Sequence, residues 1–270
     1  MSQQSWTKKE ITFVLKQHRK GYSRYEIARL FNEKFPLNKR SPDSIRHCVA
    51  THGADVERDL PKVLVLDIET APLLSFHWGL FDQNIPLNML QRDWFVLSWT
   101  AKWLHEDKVM YKDQRNKKGK ALTNDKQLLK PLWKLMDEAD IILGQNSTAF
   151  DIKKLNAKFL ENGLGVPSFY KKIDTLQLAR KHFSFTSCKL EYMSKKFNKV
   201  YKKQDHEEFS GFKLWDECMK GNVKAWNCMK TYNNFDVLAT EELFLNLAKF
   251  DRTEVVTSAV RAYHAARSKK

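Results

Sequence analysis

No stretch of about 18 consecutive apolar residues occurs in the chain, which excludes a membrane-spanning helix by hydropathy. The opening residues, MSQQSWTKKE, lack the apolar core of a secretory leader. Cysteine is scarce and scattered: Cys48, Cys188, Cys218 and Cys228 form no CxxC pair. That argues against a zinc site or a disulfide framework. It favours reduced thiols in a reducing compartment, so a cytoplasmic location is expected. Acids are in deficit, 32 against 47 Lys plus Arg, for a formal net charge of +15. Such an excess points to a polyanionic partner, nucleic acid before membrane; the alternative is a merely soluble basic protein. What is present is 270 residues, 42% of them hydrophobic. That suffices to bury a sizeable core, in one large domain or in a medium one plus a small one.

The chain is organised around KVLVLDIET, residues 62–70. Its Val/Leu run reads as a strand buried on both faces. Asp67 and Glu69 stand at its exit, and side chains at i and i+2 of a strand share a side. Adjacent carboxylates repel, and a fold tolerates that mainly where cations sit between them. The alternative is a surface strand end with two solvated acids.

Ahead of this strand lie three helical patterns. The first opens at Thr7 with Glu10 three residues on, and the second at Ser23 with Glu26, both at capping-box spacing. Ile11, Val14 and Leu15, then Ile27, Leu30 and Phe31, supply their apolar faces. The third opens at Ser41 with Pro42 in the first helical position and carries Arg46 and His47 beside Ile45 and Val49. Three helices in about 50 residues suit a helix-turn-helix. SWTKKE and RSPDSIRHCV resemble the start and the third helix of Myb/SANT-like modules, although that family's later tryptophans are missing. The resemblance implies that the third helix enters the DNA major groove, with Ser44, Arg46 and His47 as candidate contacts; a protein-contact module is the alternative. The expected organisation is a helix-turn-helix over 1–53, a linker over 54–61, a second domain over 62–250 and a basic helical tail over 251–270.

After the central strand, residues 71–93 are irregular, with Pro72 and Pro86 and the aromatics Phe76, Trp78 and Phe81. Loops this long are usually functional or disordered. The aromatics could stack on bases or plug the side of the core. Strands are predicted over 94–104 and 108–112, a helix over 124–136, a short buried strand over 141–143 and a helix over 151–160. This is a mixed α/β layer arrangement. In the loop 114–120, QRNKKGK, Lys117 and Lys118 are candidates for phosphate, against a solvated basic loop as the default. His206 beside Asp205 lacks partners at ligand spacing and is not read as a metal site. Glu241 and Glu242 read as solvated helix acids.

Three acidic stations follow in order: Asp67-Ile68-Glu69, then Asp151 in GQNSTAFD, then Tyr232 and Asp236 four residues apart on one helical face. Asp151 in a first helical turn could simply cap its helix. The ordered set resembles the motifs of DEDD-group 3′–5′ exonucleases, which have an RNase H-like fold. The middle station, Asn146 and Asp151 after Gly144, is similar to its form in family B polymerase proofreading domains. Tyr232-x3-Asp236 resembles the tyrosine version of the last motif, since Thr231 stands where the histidine version needs His. IDTLQLAR, 173–180, is similar to the strand–helix step of these proteins. The chain also resembles phage-encoded exonucleases, which would place it in a host cytoplasm. No polymerase domain follows, so a stand-alone nuclease is expected, with a separate replication polymerase as a possible partner.

The resemblance implies an RNase H-like mixed sheet flanked by helices, plus the small three-helix domain. It implies that Asp67, Glu69, Asp151 and Asp236 hold two divalent cations, Mg2+ or Mn2+, about 4 Å apart. Tyr232 would orient the attacking water, its free pKa near 10 making it a poor base. Asn146 would contact nucleotide or support its loop, and Asp174 would be supporting or structural. DNA is the expected substrate, RNA the alternative. The rival readings are an endonuclease or RNase using the same acids, and a DNA-binding regulator whose nuclease domain is inactive.

Overall fold

The structure, a computed structural model, describes residues 5–20, 22–52, 60–104, 106–202 and 207–268. Most of the expected linker, the His206–Asp205 pair and the last two lysines of the tail lie outside the described residues.

All three N-terminal helices form where their caps predict: α1 (Lys8–Arg19), α2 (Arg24–Lys34) and α3 (Pro42–His52). Thr7 and Ser23 accept from the amides of Glu10 and Glu26, whose carboxylates return the bond. Satisfying orphan amides at a helix start is worth about 1 kcal/mol per cap. Val14, Ile27, Phe31, Ile45 and Cys48 form this unit's core, with Trp6 and Phe13 edge-on to Phe31. Leu30 is only half-buried. Lys20 donates to the carbonyl of Asp137 at 3.2 Å and Tyr22 Oη accepts from the amide of Phe169 at 3.3 Å, so these helices touch the rest of the molecule.

The main sheet has five strands: β1 (Val63–Thr70), β4 (Val96–Trp103), β5 (Val109–Asp113), β6 (Ile141–Gly144) and β7 (Lys171–Asp174). Between β1 and β4, a separate two-stranded hairpin comprises β2 (Leu74–Ser75) and β3 (Leu90–Arg92). The sheet order is β5-β4-β1-β6-β7, with β1 central, antiparallel to β4 and parallel to β6. Helices α4 (Lys126–Glu138) and α5 (Asp151–Glu161) follow β5 and β6; α6 (Thr175–His182), α7 (Leu190–Phe197) and α8 (Lys213–Met219) follow β7. The 25-residue α9 (Val223–Leu247) and α10 (Glu254–Arg267) complete the fold. This is a mixed α/β sheet flanked by helices.

Alternation along β1 sorts its side chains. Leu64, Leu66 and Ile68 join the core under α4 and α5, while Val63 and Val65 join the one under α6, α7, α9 and α10. Asp67 and Glu69 continue the Val63/Val65 row and therefore point towards α9. Polar groups dock α9 on β4: Ser98 donates to Asn233, Thr100 to Asn234, and Lys102 pairs with Glu241 at 2.6 Å.

Two expectations need correction here. Glu241 is buried in that ion pair, and Glu242 accepts from the backbone amides of Lys199, Val200 and Tyr201; neither is a solvated helix acid. Both bonds hold α9 in place, and helical spacing alone could not reveal partners so distant in the chain. Phe76, Trp78 and Phe81 are exposed and do not plug the core, because β2 and β3 carry them on a hairpin separate from the main sheet. Helix α10 is anchored rather than free: Val256 and Ala259 lie in the β1/β6 core.

Gly144 ends β6 under tight constraint. A Cβ there would lie 2.6 Å from that of Ser147 and 3.1 Å from the carbonyl oxygen of Leu66. Because Ser147 is fully buried, it has little room to yield. Gly144→Ala should therefore cost about 1–3 kcal/mol, as overpacking does, measured by urea denaturation.

Candidate active site

Strand β1 outruns β6. Their pairing ends at Val65–Leu143, whereas β1 continues to Thr70. The carboxylate-bearing tip is thus unpaired by β6, and α9 crosses the face to which Asp67 and Glu69 point. Asp67, Glu69 and Asp236 each present an oxygen within 4.8 Å of the others. Asp236 is buried and the other two are half-buried. At that separation each pair of charges repels by about 3–4 kcal/mol at an effective dielectric of about 20. Hard oxygen donors clustered against mutual repulsion are what divalent cations require, so the donor set fits the expected metals.

Asp151 stands outside that 4.8 Å group. Its Oδ1 accepts the amide of Ile68 at 3.1 Å, between the two acids of β1. It therefore ties α5 to the strand tip on the side that β6 leaves open and does more than cap its own helix. Burial pushes Asp151 up to about 7, against the pull of the Ile68 amide and its own. A dication beside it would reverse that shift, as bound metals do for neighbouring acids.

Neighbouring side chains orient the cluster. Asn233 Nδ2 donates to Asp67 Oδ2 at 2.5 Å while its own oxygen accepts from Ser98. Trp215 Nε1 donates to Glu69 Oε2 at 3.1 Å, and its ring meets Tyr232 edge-on at 5.9 Å. Tyr232 is half-buried, one turn before Asp236 on α9. Sequence reasoning missed both orienting residues. Trp215 signals nothing beyond the helical spacing of its buried neighbours Leu214 and Cys218. Asn233 could have been found as the residue three before Asp236, on the same helical face.

Asp174 is structural. It accepts from the amides of Asn146 and Thr148 and caps α6 through Leu176. Asn146, at φ 57°, turns the β6–α5 loop through backbone bonds to Asp174, Ala149 and Phe150, and its side chain is exposed. Lys117 donates to the carbonyl of Asn124, while Lys118 is exposed. Arg115, in the same basic loop, is committed to Asp113, Asn227 and Trp226. Arg46 and His47 are exposed on α3 and Ser44 is half-exposed, all remote in sequence from the carboxylates.

Carboxylates at the tip of a central strand, faced by a helix across a mixed sheet, define an RNase H-like nuclease fold. The chain belongs to the RNase H superfamily: that family's sequence profile matches residues 100–248, more than half of the chain. The match spans Asp151, Tyr232 and Asp236 and begins after Asp67 and Glu69. Among solved structures, the family B DNA polymerase of the hyperthermophilic archaeon Pyrobaculum calidifontis aligns with a TM-score of 0.45 and 13% identity. The alignment covers 77% of this chain and only 29% of the polymerase chain. A search of curated protein sequences finds no match. Among the described residues, no helix is long and apolar enough to cross a membrane.

Proposed function

We propose that this protein is a metal-dependent 3′–5′ exonuclease acting on DNA, of the tyrosine-type DEDD group, delivered to its substrate by α1–α3. The observation that carries the reading is the meeting of Asp67, Glu69 and Asp236, residues far apart in the chain, within 4.8 Å. These three would hold two Mg2+ or Mn2+ ions, with Asp151 as the fourth carboxylate. When bound, such ions activate water and offset the charge that grows on a phosphodiester under attack. Asn233 and Trp215 hold Asp67 and Glu69 in their rotamers. Tyr232, steadied by Trp215, presents its hydroxyl as the group that aligns the attacking water. The exposed Arg46 and His47, with Ser44 beside them, supply the face of α3 suited to a DNA groove, and the net charge of +15 favours a phosphate backbone.

The test is digestion of 5′-labelled linear DNA, closed circular DNA and RNA of matching sequence, with magnesium and with a chelator. Stepwise shortening of the linear strand from its 3′ end, with the circle intact and no reaction in chelator, is expected. A circle cut as fast as the linear strand would make it an endonuclease, and preferential loss of the RNA an RNase. An inert protein that binds DNA in a salt-sensitive way would be a regulator instead. Tyr232→Phe should slow digestion by about 10- to 100-fold, within the range for a lost positioning or proton-transfer group, with the magnesium dependence unchanged. A shifted magnesium dependence would instead make Tyr232 part of the cation site.

A further inference from the structure

The β2–β3 hairpin exposes more apolar surface than a monomer ordinarily leaves in water. Trp78 is 91% exposed, Leu87 87%, Leu80 83% and Phe81 80%, with Leu74 and Phe76 beside them. With an aromatic side chain offering about 150–250 Å², these six amount to on the order of 800 Å². The largest apolar patch of a typical monomer is about 300–600 Å², whereas one side of a standard interface is about 800 Å². The arm is also tied by its own bonds. Phe76 bonds Met89 through the backbone, Gln83 and His77 bond carbonyls at the tip, and Arg92 at its foot reaches Met219 on α8.

Charge discriminates between occupants. Between Glu69 and Arg92 the only Asp, Glu, Lys or Arg is Asp82, in a chain that is 29% charged. A nucleic-acid surface is rich in cations, whereas this arm carries no Lys or Arg ahead of Arg92 at its foot; depletion of charge with enrichment of aromatics marks the centre of a protein–protein interface. In a molecule of net charge +15, this charge-poor arm is a surface on which two copies can meet with little repulsion. On a two-fold axis the patch would meet its own copy, so that both sides would supply the area a standard interface needs.

We propose that this hairpin is the surface through which two copies of the chain associate. Analytical ultracentrifugation of the full chain tests it. The wild type should sediment at twice the chain mass at micromolar concentration. Trp78→Ser/Leu80→Ser/Leu87→Ser should weaken association at least 100-fold and run as a monomer with an unchanged circular dichroism spectrum. Leu37→Ser, at an apolar residue 98% exposed elsewhere, should leave the dimer intact. Should the triple variant misfold, Trp78→Ser alone carries the test with at least 10-fold weakening. A wild type that stays monomeric overturns the proposal, as does a dimer indifferent to these changes. So does a monomer whose arm is protected from hydrogen exchange only when a single-stranded oligonucleotide is added.

Discussion

Asp67→Asn should lower hydrolysis of end-labelled DNA by on the order of 10³-fold, about 4 kcal/mol of transition-state stabilisation, without lowering the melting temperature in chelator. The two effects share one cause. Without cations, the folded chain holds Asp67 close to Glu69 and Asp236 at an electrostatic cost. Neutralising one member lifts part of that cost, and the amide oxygen that replaces the carboxylate still accepts from Asn233. With cations, the same change removes a ligand. Magnesium should therefore raise the melting temperature of the wild type, because a ligand bound only by the native state stabilises it, and should raise that of the variant much less. A variant retaining a tenth of the wild-type rate, or an identical response to magnesium, would show that these oxygens do not hold the ions.

The largest loss of stability is expected from Lys102→Met. Lys102 and Glu241 are buried and paired at 2.6 Å. Removing one partner strands the other charge, at about 3–5 kcal/mol. Replacing both, Lys102→Met with Glu241→Leu, should recover most of that loss, since apolar packing often matches a buried pair. Burial holds the Glu241 carboxyl above its usual range, while Lys102 pulls it back. In Lys102→Met that restraint is gone, and the folded chain binds the Glu241 proton more tightly than the unfolded chain does. Stability of this variant should therefore recover as the pH falls, the direction linkage requires for a raised acid. Chemical denaturation of the two variants at several pH values measures both effects. A single variant as stable as the double would rule out a stranded charge.

Much of the architecture was legible because its signals are local. Caps at Thr7, Ser23 and Ser41–Pro42 placed α1, α2 and α3, and the Val/Leu run before Asp67 placed the central strand. The acidic stations named the three carboxylates that meet. What stayed hidden depends on tertiary partners. Nothing near Trp215 in the chain announces Glu69, and nothing near Glu241 announces Lys102. The hairpin was obscured because β2 and β3 are too short to show alternation, and its apolar residues read equally well as core. Asp151 was expected to join the other carboxylates, yet it stands outside their group, bonded to the Ile68 amide where β6 ends short of β1.

Helix α9 joins several duties on one rod of 25 residues. It bears Tyr232 and Asp236, the Asn233 that steadies Asp67, the Glu241 buried against β4 and the Glu242 that gathers three amides. At 3.6 residues per turn, one inserted residue rotates everything beyond it by about 100°. An insertion between Asn233 and Glu241 would thus misalign the carboxylate cluster and the anchoring groups together. Along this segment, descendants of the gene can drift by exchanging side chains but have almost no freedom to change its length.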